Sequence, residues 1–268
     1  MRRSIKHLSI AGLVAFFTAS CATSPTGQRQ LSLVSDSQVA SMGVTAYNDM
    51  KKSIPISRDV RQTAYVRCIS DAITAELEDS ESWEVTLFDD DQVNAFALPG
   101  GKIGVYTGLL KVAETPDQLA AVMGHEVAHV LANHGKARLS ANIAGQAGLL
   151  AGQIFIGASG SSRSAGAMAA LGIGLQVGVL MPYGRSHETE ADIVGLDLLA
   201  NAGFDPRAST QLWRNMAAAN PSAPPELLST HPAPTTRISN LEKRMPKALG
   251  LYQQARNNGR NPGCRLPA

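Results

Sequence analysis

The sequence has 268 residues, with 24 lysine and arginine residues against 22 aspartate and glutamate residues, which leaves a formal net charge of +2. This near balance, without a basic stripe, argues against nucleic acid as a partner. No segment repeats along the chain, which excludes a solenoid or a propeller. A chain of this length can bury a sizeable hydrophobic core within one domain.

The first 20 residues have the pattern of a secretory signal peptide. Three basic residues precede the apolar stretch 8–19, which is too short to span a bilayer comfortably. The tetrapeptide that ends at Cys21 resembles a bacterial lipobox, although Thr18 stands where Leu is usual. We therefore expect a periplasmic lipoprotein held to the membrane through lipidated Cys21, and Ala22 after it resembles the outer-membrane sorting class. A plain cleaved signal, with Cys21 free or lost, is the alternative.

Removal of that segment changes both the charge and the cysteine count. The remaining chain carries 21 basic and 22 acidic residues, a net charge of −1. Of the three cysteines, Cys68 and Cys264 are left once Cys21 is set aside. An even pair in an oxidising compartment predicts a disulfide between them. Two buried or unpaired thiols are the alternative.

Helices dominate the first part of the remaining chain. Residues 28–35 are expected to form an extended lead-in, and helices are predicted over 37–52 and 57–78. The alternation of apolar residues over 83–88 predicts a strand. The stretch 94–110 then predicts a strand, a Pro-Gly-Gly turn, a second strand and the start of a helix.

The pentapeptide His125-Glu126-Val127-Ala128-His129 lies inside an apolar segment and has the form H-E-x-x-H. In a helix, His125 and His129 are one turn apart on the same face, so both imidazoles can bind one zinc ion. Glu126 lies beside the open coordination position, where it can take a proton from water. Burying these polar groups without a metal would cost several kcal/mol, which disfavours a purely structural role. The motif therefore predicts a zinc metallopeptidase.

The residues before this motif favour a helix that starts at a defined position. Thr115 suits the N-cap, Pro116 the first helical position, and Gln118 completes a capping box. The predicted zinc-binding motif therefore lies in the third and fourth turns of a helix with a defined start.

A second helix is predicted over 185–203. Glu188 and Asp192 are four residues apart and share one face of it. Glu188 can therefore be the third protein ligand that a catalytic zinc needs, while Asp192 accepts a hydrogen bond from the outer ring nitrogen of a ligand histidine. His187 and Glu190 point elsewhere, and we expect them on a solvated or locally paired face.

Two further segments are expected to lie near the site. Residues 143–181 are rich in glycine, alanine and leucine, with a serine-rich interruption at 159–164. Each flank is short and glycine-dense for a membrane span, so we expect a mobile helical lid or hairpin that gates the cleft or lies against the membrane. Spanning helices are the alternative. The proline-rich loop 221–234 is expected to bring His231 over the site.

Several of these segments together resemble family M48 of the metallopeptidases, over roughly residues 25 to 245. That family includes HtpX-like proteases, the type I CAAX prenyl protease, the Oma-type mitochondrial protease and periplasmic lipoprotein proteases. The resemblance rests on H-E-V-A-H and on R-S-H-E-T-E-A-D, which follows about sixty residues later. It also rests on N-A-F-A-L-P-G-G-K-I-G-V-Y-T-G-L-L from Asn94 and on H-P-A-P-T-T-R from His231.

The resemblance implies roles for individual residues. It agrees that Glu188 is the third zinc ligand. It implies that His231 or Arg237 stabilises the oxyanion of the tetrahedral intermediate, or that His231 occupies the open zinc position in a resting state. An ordinary loop position for His231 is a further alternative. A strand beside the zinc helix could bind substrate backbone by strand addition, or be an ordinary core hairpin, and that strand contains Asn94, Ala95, Phe96 and Ala97.

We therefore predict an α+β fold of the zincin (gluzincin) type, mostly helical, with a small sheet beside the H-E-x-x-H helix, in a single domain over 21–268. The predicted function is that of an endopeptidase with one zinc ion per chain and Glu126 as general base. From the resemblance, the substrates are expected to be unfolded, misfolded or outer-membrane proteins of the envelope, and outer-membrane assembly factors are candidate partners. A zinc-bearing periplasmic chaperone with a closed protease site is the alternative.

Overall fold

A computed structural model describes most of the chain after the expected signal peptide. It covers residues 21–75, 77, 82–158, 184–219, 231 and 234–265. The chain divides into two compact units, one formed by residues 1–36 and 135–181 and the other by residues 37–134 and 182–268. The expected signal peptide lies outside the described residues, and the single domain over 21–268 stays a prediction.

Helices make up most of the described chain, and the strands are short. The strands are β1 (Cys21–Thr23), β2 (Arg29–Leu31), β3 (Glu84–Phe88), β4 (Ala95–Leu98) and β5 (Lys102–Tyr106). The helices are α1 (Asp36–Ser53), α2 (Val60–Thr74), α3 (Pro116–Leu131), α4 (His134–Ala158), α5 (Arg185–Asn201), α6 (Ala208–Ala219) and α7 (Pro234–Asn257), with a short 3-10 helix at Thr107–Lys111. The predicted α+β fold, mostly helical with a small sheet, is confirmed.

The first unit consists of the β1–β2 pair and most of α4. The two strands are antiparallel, and the chain after them is held to α4, where the Leu33 N–H donates to Ser140 Oγ at 2.9 Å. Helix α4 includes the first part of the expected lid, whereas residues 159–183 lie outside the described residues. Within the part of the chain that the structure describes, no helix has the length and apolar content needed to cross a bilayer.

The second unit contains a three-stranded sheet in the order β3-β5-β4. Strand β5 pairs parallel with β3 and antiparallel with β4, which leaves β4 at one edge against α3. The Tyr106 N–H donates to the Asn94 carbonyl at 3.1 Å. Hydrogen-bonded and non-hydrogen-bonded pairs alternate in an antiparallel ladder, so the backbone groups of Ala95 and Ala97 point away from β5.

Helix α3 is fixed at both ends. Thr115 Oγ1 accepts from the Gln118 N–H at 3.2 Å, and Gln118 Oε1 accepts from the N–H of Glu114, one residue before the predicted capping-box partner. At the other end, Asn133 has a φ of 55°, a left-handed conformation that often ends helices. This tight turn starts α4 at His134, immediately after α3.

Helices α3 and α5 cross with their backbones in close approach. A Cβ on Gly195 would lie 2.8 Å from the backbone nitrogen and Cα of His125, and a Cβ on Gly124 would lie 2.9 Å from the Gly195 carbonyl oxygen. Two glycines therefore permit a spacing that larger residues would forbid. Because of this spacing, side chains from the first turn of α5 reach the histidines of α3.

The C-terminal segment is joined to α2. Helix α2 is shorter than the predicted helix over 57–78, because Asp59 caps its start and it ends at Thr74. Cys68, on this helix, is bonded to Cys264, and the two Cα atoms are 5.8 Å apart. The structure thus joins the cysteine pair that the sequence predicted.

Candidate zinc centre

Three predicted ligands meet where α3 and α5 cross. His125 Nε2 and His129 Nε2 are 3.1 Å apart, and Glu188 Oε1 lies 3.4 Å from His129 Nε2. All three side chains are almost completely buried. Burial raises the pKa of Glu188, but hydrogen bonds from the surrounding histidines outweigh it and hold the pKa below its usual range. Burial lowers the pKa of His129, which favours the neutral imidazole that binds a metal.

A fourth donor, His231, completes the cluster. Its Nδ1 lies 3.2 Å from His125 Nε2 and 2.9 Å from Glu188 Oε1, and the four donor atoms all lie within 4.8 Å of one another. Four ligands placed tetrahedrally at about 2.0–2.1 Å from zinc are about 3.3 Å apart. The spacings between neighbouring donors match that value, so three imidazoles and a carboxylate fit a tetrahedral zinc site.

Glu126 lies beside the donor cluster and is not part of it. Its Oε1 is 3.4 Å from His231 Nε2 and makes no hydrogen bond to the described residues, while the backbone N–H of Ala97 donates to the carboxylate. Burial raises the pKa of Glu126 to about 7, and the nearby His231 and Arg237 partly oppose this rise. A bound zinc ion would oppose it further, since a cation favours the charged carboxylate.

Asp192 and Arg237 contact the metal ligands and each other. Asp192 Oδ1 lies 3.2 Å from His125 Nδ1 and accepts from Arg237 Nη2 at 2.6 Å. Arg237 Nη1 also lies 2.9 Å from Glu188 Oε2, and the guanidinium stacks 3.6 Å from the centre of the Trp213 ring. Burial raises the pKa of Asp192, but the charge of Arg237 and the contact with His125 more than offset it.

We expected Arg237 to be a candidate oxyanion donor, and that role stays a prediction. Its guanidinium lies against Asp192 and Glu188, and its Nη2 is 3.0 Å from His125 Nε2. A guanidinium placed between two carboxylates can also hold the metal ligands in position. The H-P-x-x-x-x-R spacing identified the residue, but its partner on α5 could not be read from the spacing.

Glu190 differs from its expectation. We expected a solvated or locally paired side chain, but Glu190 is 1 % exposed and its Oε2 lies 3.1 Å from Nε2 of His134, 56 residues away. His134, a residue that the sequence reasoning did not single out, is itself 2.9 Å from His129 through the two Nδ1 atoms. The sequence signal that could have identified His134 is its position five residues after the ligand His129.

The remaining predicted residues lie in or beside β4 and in β1. Ala95, Phe96 and Ala97 are buried in β4, next to α3, and Asn94 just before them is half-buried. The Phe96 ring packs against Gly104 and the aromatic residues of the sheet. The side chains of Ala95 and Ala97 belong to the same hydrophobic core as the zinc helix. Cys21 lies in β1, in the other unit, and its lipidation stays a prediction.

Comparison with known proteins places this site in a family. Among curated proteins, the chain is 38% identical over 168 residues to the mitochondrial metalloendopeptidase OMA1 of Schizosaccharomyces pombe, which covers 62% of this chain and 48% of that protein. It is 36% identical over 193 residues to the OMA1 protein of Saccharomyces cerevisiae, covering 69% and 53%. It is 27% identical over 282 residues to the beta-barrel assembly-enhancing protease of Escherichia coli, covering 94% and 57%. The chain thus spans about half the length of these relatives.

The family model agrees with these relatives and with the site. The model described as peptidase family M48 matches residues 59–245, more than two thirds of the chain. The matched range includes the four clustered donors, Glu126 and the supporting pair Asp192 and Arg237. Zinc is the metal that proteases of this family use, and it suits the donor set observed here. The chain therefore belongs to peptidase family M48.

Proposed function

We propose that this protein is a zinc-dependent endopeptidase. The observation that carries the proposal is the position of Glu126, a buried carboxylate in contact with a donor cluster that suits zinc but not part of it. A structural zinc site needs no such group, because its ligands alone complete the coordination. The names of the relatives, metalloendopeptidase and protease, support the same activity.

The proposed mechanism assigns Glu126 to proton transfer. Zinc in such a site supplies Lewis-acid chemistry, which acidifies a water molecule and polarises the scissile carbonyl. Glu126 accepts the proton of the attacking water and returns it to the leaving amine. Burial favours this role, because a base with a pKa near neutrality can both accept and release a proton.

We propose that His231 is the fourth zinc ligand of a resting state. Its Nδ1 faces the other donors, and its Nε2 faces Glu126 at 3.4 Å. The ring thus occupies the position that the attacking water would need. Of the roles that the sequence left open, this geometry favours the resting-state ligand over the oxyanion donor. Displacement of His231 would be required before each round of catalysis or once on activation.

The edge of β4 is the proposed binding surface for the substrate backbone. Ala95 and Ala97 direct their backbone groups away from β5, and Ala97 already donates to Glu126. An extended peptide added at this edge would lie along the zinc helix beside the general base. Main-chain hydrogen bonds give affinity with little sequence preference, which suits an enzyme that cleaves unfolded chains.

The proposed substrates are unfolded or misfolded proteins of the bacterial envelope, including outer-membrane proteins. The predicted signal peptide and the lipobox-like sequence at Cys21 support a periplasmic protein anchored to the outer membrane. The name of the Escherichia coli relative connects it with β-barrel assembly, which makes assembly factors candidate partners. The OMA1 relatives are named as mitochondrial, so the similarity alone does not decide the compartment.

A second candidate function is a zinc-bearing chaperone. The observation that favours it is His231, which closes the fourth position. Cleavage of an unfolded substrate such as casein, with and without a chelator, distinguishes the endopeptidase from the chaperone. A protease cleaves, stops on chelation and resumes when zinc is returned. A chaperone suppresses aggregation of the same substrate and leaves it intact, including in the His231→Ala variant, whose fourth position is open.

A further inference from the structure

An unbroken hydrogen-bonded chain leads from α5 to the second zinc histidine. His134 Nδ1 lies 2.9 Å from His129 Nδ1, and His134 Nε2 lies 3.1 Å from Glu190 Oε2. The side chains of His134 and Glu190 are both 0% exposed. A buried carboxylate is thus connected to the outer nitrogen of a metal ligand through one intervening imidazole.

The orientation of His129 determines where the protons of this chain lie. His129 Nε2 faces His125 and Glu188, so it carries the lone pair that a metal needs, and the proton is on Nδ1. That proton is donated to Nδ1 of His134. The proton of His134 is then on Nε2, where the Glu190 carboxylate accepts it. Each hydrogen bond has one donor and one acceptor only in this arrangement of tautomers.

We propose that His134 and Glu190 are positioning residues, which hold His129 in its metal-binding tautomer and orientation. The proposal rests on the zinc centre proposed above. It assigns His129 a support that parallels the direct contact of Asp192 with His125 Nδ1. Hydrogen bonds to the outer nitrogen of a ligand histidine raise its basicity and strengthen metal binding.

Helix geometry explains why one support is direct and the other needs an intermediary. Glu188 and Asp192 are four residues apart and share the face of α5 that meets α3. Glu190 lies between them in sequence and points from another side of the helix. The left-handed Asn133 places His134 between that side and His129. One turn and a half of α5 thus supplies a ligand and the supports of both histidines.

The test compares the zinc affinity of purified full-length variants, measured by competition with a chromophoric chelator. Glu190→Met, which removes the acceptor, and His134→Phe, which removes the intermediary, should each weaken zinc binding by about 10–100-fold, the usual effect of losing such a partner. His134→Asn should recover much of the loss seen in His134→Phe, because its Oδ1 can still accept from His129. Asp197→Asn is the matched control, since Asp197 is on α5 but pairs with Arg244. The zinc affinity of Asp197→Asn should stay within about threefold of the parent, a much smaller change than the loss expected for the His134 and Glu190 variants.

A second readout separates positioning from general stabilisation. Nitrogen chemical shifts of the zinc-loaded parent should show His129 protonated at Nδ1 and His134 at Nε2. Unchanged zinc affinity in folded Glu190→Met, or an equal loss in Asp197→Asn, would overturn the positioning role of His134 and Glu190 while leaving the zinc centre intact. A parent chain that binds no zinc would overturn both. If His134→Phe does not fold, Glu190→Met, which removes the acceptor and roughly keeps the volume of the side chain, decides alone.

Discussion

At the scale of single residues, the centre combines a donor cluster with one carboxylate that has another task. Glu126 shares the burial of the ligands, but its neighbours are the Ala97 N–H and His231. His231 in turn contacts both the donors and the base. The groups proposed to bind the metal, transfer the proton and occupy the fourth position are therefore in direct contact with one another.

The first prediction concerns the general base. Glu126→Gln should keep zinc bound and the fold intact, because Glu126 is not a ligand and the substitution preserves its shape. The rate of cleavage of an unfolded protein should fall by roughly two to four powers of ten, the usual contribution of a positioned base. Turnover at the parent rate, with zinc content verified in the same sample, would show that another group moves the proton.

The second prediction concerns the fourth ligand. His231→Ala should leave zinc in place, because three protein ligands remain, and it should raise basal proteolysis by opening the position for water. Zinc content and the initial rate of cleavage are measured together. A rate lower by about a hundredfold with unchanged zinc would instead identify His231 as an oxyanion donor. No change in either quantity would leave His231 as an ordinary loop residue.

At the scale of secondary structure, the centre depends on how closely α3 and α5 approach. The helices themselves could be predicted, since Thr115, Pro116 and the H-E-x-x-H spacing are local signals. Glu188 could be chosen because it shares a helical face with Asp192. The contacts of Arg237 and of the His134–Glu190 pair could not be predicted, because they join segments distant in sequence. Their side chains are chemically ordinary until the fold brings them together.

The third prediction tests the helix crossing. Gly195→Ala would place a Cβ 2.8 Å from the backbone of His125, so α3 and α5 must separate. Such overpacking should lower the free energy of unfolding by about 1–3 kcal/mol and should also weaken zinc binding, because Glu188 moves with α5. Gly250→Ala on α7 is the control, since no atom of the described part of the chain lies within 4 Å of its Cβ position. Removing this exposed helical glycine should stabilise by about 0.4–1 kcal/mol. Equal behaviour of the two variants would contradict a tight crossing.

At the scale of the whole chain, the sequence predicted the class of fold, the zinc helix, the second ligand helix and the cysteine pair. The ends of segments were predicted less well. The helix expected over 57–78 begins later, because Asp59 caps it, and it ends earlier, at Thr74. The chain divides into two compact units, and the single domain over 21–268 stays a prediction. Packing between distant segments decides such divisions, and no local pattern records it.

The fourth prediction concerns the link between α2 and the C-terminal segment. Cys68 and Cys264 close a loop with a sequence separation of 196 residues. On the chain-entropy model, such a link stabilises the fold by as much as about 5 kcal/mol. Protein directed to the periplasm of a bacterial expression host and isolated without reductant should therefore show no alkylation of these two residues by mass spectrometry, and reductant should lower its unfolding midpoint. Two alkylated thiols in the untreated sample would refute the bridge.

Zinc content and cleavage rate, determined on one preparation of the parent and one of Glu188→Ala, test the central claim most directly. Glu188 contributes the carboxylate among the clustered donors, and its loss also leaves the buried Arg237 facing the histidines. The parent should contain one zinc ion per chain and cleave unfolded casein in a chelator-sensitive way. Glu188→Ala should lose both the metal and the activity. A parent that cleaves without zinc, or a Glu188→Ala variant that retains zinc and full activity, would contradict the zinc endopeptidase proposed here.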